Sequence, residues 1–124
     1  MTVSFDGSPA ALAALADADA ARALAEDVGA GDLTASLVDP VRRAQARVLA
    51  REAAVICGAP WVEATLRQVD PSLQATWLVA EGQRCAADQV VLEVTGPARS
   101  LLTAERTMLN FLQLLSAVAT ATAT

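Results

Sequence analysis

The chain has 124 residues, 54% hydrophobic and 19% charged, which suits one folded domain and excludes a disordered one. A net charge of −5 provides no basic footprint for phosphates, so general nucleic-acid binding is set aside. All nine basic residues are arginine, and without lysine or histidine the chain has no Schiff-base lysine, Walker A lysine or zinc–histidine site.

The opening residues 1–9 carry Asp6 and no positive charge, unlike a signal peptide. Residues 9–26 are alanine-rich, with Leu12, Leu15 and Leu24, and read as one or two short helices broken or loosened at Asp17-Ala18-Asp19. Gly29-Ala30-Gly31-Asp32 reads as a turn, because two close glycines permit positive φ, and Asp39-Pro40 as a second turn. Gln45 to Cys57 is ambiguous. Its alanines favour helix, whereas Val48, Val55 and Ile56, with Gly58 as terminator, favour one or two strands, and strand is preferred.

Ala59-Pro60-Trp61 opens a helix, with proline where a missing N–H costs nothing. Val62, Leu66 and Val69 share one face of it, and Asp70-Pro71 stops it. Leu73 to Ala80 alternates as a strand, Glu81-Gly82 turns, and Val90, Val91, Leu92 and Val94 form another strand closed by Gly96-Pro97.

From Ala98 to about Ala119 the period becomes helical. Leu101, Ala104, Met108, Leu112 and Leu115 form one stripe, and Thr107, Phe111, Leu114 and Val118 a second beside it, which predicts burial on more than one side. Asn110, Gln113 and Ser116 interrupt its most apolar part, Thr107 to Ala119, which is shorter than the ~20 residues a bilayer requires. The sequence stops just after this helix, which suggests a fragment, or a partner chain that covers the second face.

Three groups of residues are candidates for chemistry. Arg106, Asn110 and Gln113 stand at i, i+4 and i+7 in the last helix, in a line that Leu102 and Ala117 extend. A guanidinium among apolar neighbours seeks an anion, and its planar fork matches a carboxylate. The alternatives are a pair with a nearby acid or a solvated edge. Glu26, Asp27 and Asp32 lie close together, but their spacing is not that of a Ca²⁺ loop, and Asp32 and Thr34 read as turn or helix caps. The third group, Glu81-Gly82-Gln83-Arg84 with the following strand, is like a biotinyl or lipoyl carrier hairpin, but there is no lysine to carry the group. Cys57 and Cys85 fit no metal or redox spacing and read as free thiols in a reducing cytosol.

Four segments recur together in one known family: EDVGAGDLTASLV (Glu26 to Val38), RVLAREAAVICG (Arg47 to Gly58), EGQ (Glu81 to Gln83) and GPARSLLTAERTMLNFLQLLSAVATAT (Gly96 to Thr122). From about residue 22 the chain resembles quinolinate phosphoribosyltransferase. The resemblance implies an α+β fold: an α/β-hammerhead-type N-terminal domain, with a small, mostly antiparallel sheet flanked by helices and a long C-terminal helix. It assigns residues 1–21 to a poorly matched helical segment, 22–112 to the N-terminal domain and 113–124 to the start of a truncated α/β barrel domain.

The implied reaction joins quinolinate to phosphoribosyl pyrophosphate with Mg²⁺, giving nicotinate mononucleotide, pyrophosphate and CO₂ in cytoplasmic NAD synthesis. The implied assembly is a head-to-tail homodimer in which this domain closes the partner's barrel mouth. Arg106 matches the arginine that reaches the partner's quinolinate, and Asn110 and Gln113 support that helix face. Ala117 departs from a glycine usual in the family. The Mg²⁺–phosphoribosyl pyrophosphate site belongs to the missing barrel, so this chain is expected to hold no metal and to be inactive alone. The competing readings are a non-enzymatic module that dimerises through the last helix, and a paralogue of the same fold with another substrate.

Overall fold

Alanine at four-residue spacing lets two helices approach closely, and the first element is built on that property. The computed structural model describes residues 8–123, apart from the side chains of residues 28–35. Helix α1 spans Pro9–Ala35, opened by Ser8, whose hydroxyl accepts the Ala11 N–H at 3.2 Å. Ala16 and Ala20 are buried against Ala64, with Trp61 and Phe111 packed around them.

The predicted break at Asp17-Ala18-Asp19 does not occur, because both carboxylates are occupied from outside the helix. Trp61 Nε1 donates to Asp19 Oδ2 at 2.9 Å, Arg67 pairs with Asp17 at 2.7 Å, and Arg22 also pairs with Asp19. The predicted turn at Gly29–Asp32 is also corrected, since α1 continues through both glycines. Each glycine costs a helix about 1 kcal/mol, and tertiary packing against α2 and α3 outweighs that. The side chains of Asp32 and Thr34, expected as caps, lie outside the described residues. The turn at Asp39-Pro40 forms as expected, with the Val41 N–H donating to Asp39 Oδ1 at 3.0 Å.

Strand β1 (Arg43–Ala50) and the short β2 (Ala54–Val55) follow, so the segment from Gln45 to Cys57 holds two strands rather than a helix. Helix α2 (Ala59–Val69) has proline in its first turn and ends at Asp70, as expected. Next come β3 (Gln74–Trp77), the two-residue β4 (Arg84–Cys85), β5 (Gln89–Pro97) and helix α3 (Ala98–Thr122). The main sheet is antiparallel in the order β1-β5-β3, and β2 pairs with β4 beside it. The fold is α+β.

The row Val48, Leu92 and Trp77 faces the helices, while the row Arg47, Glu93 and Thr76 faces out. An irregularity at Val48/Leu49 shifts the register, and Val91 and Leu92 are both buried although adjacent. Val62 and Leu66 of α2, Leu92 and Val94 of β5, and Leu101, Met108 and Leu112 of α3 make the main core. Gly96 has φ +154°, and a Cβ there would lie 2.7 Å from Leu73 Cδ2, so β5 and the loop before β3 touch backbone to side chain.

Candidate functional site

Helix α3 is fixed on two sides, and the site is what remains uncovered. Its first stripe, from Leu101 through Met108 to Leu112, is buried on the sheet. Its second stripe is covered only at its beginning: Thr107 is buried and Phe111 half-buried, but Leu114 is 65% and Val118 56% exposed. Burial on more than one side therefore holds for the first half of α3, where α1 and α2 reach it. In the second half, hydroxyls fasten the other flank. Ser116 Oγ accepts the Cys57 N–H at 3.0 Å and lies 3.1 Å from the Cys57 carbonyl, and Thr120 Oγ1 accepts the Val55 N–H at 2.9 Å.

The uncovered arc carries Leu102, Glu105, Arg106, Asn110, Gln113, Leu114 and Ala117, all exposed. Arg106, Asn110 and Gln113 thus share one face, spread over about 10 Å at 1.5 Å per residue. Among the described residues Arg106 makes no ion pair or hydrogen bond, so the pairing with a nearby acid does not form. Its side chain is exposed, as on a solvated edge.

Two concavities flank the arc. A small one of about 290 Å³ lies between the start of α3 and the start of β1, with Arg42, Leu101 and Glu105 in its wall. A larger open groove of about 1140 Å³ runs between β1, the turn after it and the second half of α3. Gln113 and Ala117 line the larger groove; Arg106 and Asn110 line neither. The structure therefore brings the three predicted residues onto one helix face and divides them between an open crest and a groove wall.

The role of Glu81 was not legible in the sequence. Its carboxylate accepts the Gly58 N–H at 3.0 Å and the Ala59 N–H at 3.2 Å, so it caps the N-terminus of α2 from across the chain. Only the presence of an acid in the EGQ turn hinted at this. Burial first, and the Glu81 charge second, push the neighbouring Cys57 thiol above its ordinary value. Asp70 is held below the usual carboxylate range, chiefly by the Ser100 hydroxyl and then by Ser72. Cys57 and Cys85 are both free. No three His, Cys, Asp or Glu side chains among the described residues gather as metal ligands, and no helix among them is long and apolar enough to cross a membrane.

Small antiparallel sheets packed on three helices among the described residues, the last keeping a long arc open, define an α+β module. Residues 32–116 match the quinolinate phosphoribosyl transferase N-terminal domain, and the chain belongs to that family. A probable nicotinate-nucleotide pyrophosphorylase (carboxylating) of Synechocystis sp. is 41% identical over 99 residues, which are 80% of this chain and 34% of that protein. The structure of the nicotinate-nucleotide pyrophosphorylase from Francisella tularensis is similar with a TM-score of 0.84 at 35% identity, over 97% of this chain and 42% of that one. NadC from Streptococcus pyogenes is similar with a TM-score of 0.79 at 32% identity, over 94% of this chain and 41% of that one. The chain thus spans about a third to two-fifths of the length of the relatives it matches.

Proposed function

We propose that this chain is the N-terminal portion of a cytoplasmic quinolinate phosphoribosyltransferase, which converts quinolinate and phosphoribosyl pyrophosphate to nicotinate mononucleotide, pyrophosphate and CO₂ in NAD biosynthesis. Its own contribution is to cap the barrel of a second copy in a homodimer and to present Arg106 to the quinolinate held there. The observation that carries this reading is Arg106 itself: exposed, without a partner among the described residues, and set on an arc with the exposed apolar side chains of Leu102 and Leu114.

Quinolinate is a pyridine dicarboxylate, and a guanidinium can take one carboxylate through two parallel N–H donors. Asn110 and Gln113 continue the polar side of the same face. When bound, Mg²⁺ supplies charge neutralisation on the pyrophosphate leaving group. In this reading the ion is bound with phosphoribosyl pyrophosphate in the barrel of the complete enzyme, and the 124-residue chain alone is expected to be inactive.

A charge-assisted bidentate contact is worth about 1.5–3 kcal/mol, so Arg106→Ala in the complete enzyme is expected to weaken quinolinate binding about tenfold or more. Arg106→Lys restores only part, because it places a point charge where a fork is needed. Titration of quinolinate into the complete enzyme measures this, and an Arg106→Ala protein of unchanged affinity refutes the assignment. Nicotinate mononucleotide formed by the purified chain alone refutes its inactivity.

A further inference from the structure

Arg106 is exposed, but the residue after it is not. Thr107 is 1% exposed, and its hydroxyl donates to Asp27 Oδ2 of α1 at 2.7 Å, across a sequence separation of 80 residues. A second fastening lies two turns earlier on α3. The Arg99 guanidinium donates to the carbonyls of Val38 at 2.5 Å and Ser36 at 3.0 Å, in the segment that leaves α1. The second half of α1 and the segment that follows it are thus tied to α3, at Asp27 and at Ser36–Val38, the first through the residue next to Arg106. The other half of α1 is tied to α2 through Asp17 and Asp19.

We propose that Thr107 and Asp27 are positioning residues for Arg106: their hydrogen bond fixes the rotation of α3 about its axis, and with it the direction in which the guanidinium is offered to a carboxylate ligand. This rests on the quinolinate reading given above. At 100° per residue, Thr107 sits on the flank of α3 between the buried stripe and the arc that bears Arg106. A hold on this flank, opposite the Ser116 and Thr120 hydrogen bonds, adds directional resistance to rotation beyond the packing of the buried stripe. With side chains a helix is about 10–12 Å across, so a rotation of about 10° moves a group at its rim by about 1 Å. A misplacement of about 1 Å in a bound geometry costs up to about a hundredfold. A bidentate contact is especially sensitive, because both N–H donors must stay in line.

The test uses the complete enzyme and steady-state kinetics with each substrate varied in turn. Thr107→Val keeps the shape and removes the donor, and Asp27→Ala removes the acceptor from the α1 side. Each is expected to raise the KM for quinolinate about tenfold, with kcat and the KM for phosphoribosyl pyrophosphate changed less than about twofold. Thr107→Ser keeps the hydroxyl and should restore the wild-type KM. If Thr107→Val does not fold, Asp27→Ala decides the matter, because Asp27 is only half-buried. A quinolinate KM within about twofold of wild type in these variants overturns the proposal. So does an equal rise in both KM values, or a Thr107→Ser protein as impaired as Thr107→Val, because either marks a general structural role. A wild-type enzyme that does not turn over quinolinate sinks the functional reading itself, an outcome visible before any variant is made.

Discussion

Removing one hydroxyl from α3 should loosen the small sheet beside it. Ser116 is 7% exposed, accepts the Cys57 N–H at 3.0 Å and lies 3.1 Å from the Cys57 carbonyl oxygen. Ser116→Ala leaves both backbone groups without that partner. Each such group costs about 1–3 kcal/mol when buried, and Cys57 is half-buried, so the low end applies and the two together cost about 2 kcal/mol. Alanine is the better helix former and returns up to about 0.5 kcal/mol. The net loss is about 1.5 kcal/mol, or a fall in Tm of about 6 °C for a domain of this size. Urea denaturation measures the global effect, and amide hydrogen exchange at Cys57 reports the local one. Thr122→Ala is the control, because the Thr122 hydroxyl donates only to carbonyls of its own helix, Val118 and Ala119, both at 3.1 Å. A Ser116→Ala protein as stable as that control, with the Cys57 amide still protected, refutes the reasoning.

Two further outcomes follow from geometry already described. Gly96→Ala combines a backbone strained for any L side chain with a Cβ 2.7 Å from Leu73 Cδ2 and 3.3 Å from Leu73 Cα, and should cost about 2–4 kcal/mol by thermal unfolding. An unchanged Tm counts against that fit. The Cys57 thiol, raised by burial and then by the Glu81 charge, should react with iodoacetamide more slowly than an unfolded thiol at pH 8, and Glu81→Gln should speed it by removing the charge that opposes the thiolate. Because the folded value lies above the ordinary 9.0, this proton favours the folded state at lower pH, and the contribution fades as pH rises through the folded value. Faster alkylation of the folded chain contradicts the assignment.

Where local chemistry and tertiary structure agreed, the sequence was readable. Pro60 and Asp70 bound α2 because proline suits a first turn and Asp70 can gather the Ser72 and Ser100 hydroxyls just past the helix. The stripe from Leu101 to Leu112 reads as one buried face because three- and four-residue spacing leaves few other geometries. Helix α1 was misread because Asp17, Asp19, Gly29 and Gly31 are locally unfavourable, and the partners that support the helix, Trp61, Arg67 and Thr107, lie far along the chain. Strand β4 went unread because two residues carry no period. At the site, the shared face of Arg106, Asn110 and Gln113 could be read from spacing alone. Glu81 over α2 and Asp27 under Thr107 could not, since neither contact leaves a local pattern.

The middle strand of the main sheet, β5, is also the last of the five strands in sequence. During synthesis β1 and β3 leave the ribosome as two edges with nothing between them, and neither can pair correctly until Gln89–Pro97 has emerged. Helix α3, which supplies Leu101, Met108 and Leu112 to the core, follows immediately. Such long-range pairing is slow and leaves apolar strands open to other chains meanwhile. The exposed arginines of β1, Arg43 and Arg47, keep that waiting edge charged until β5 inserts between the two strands.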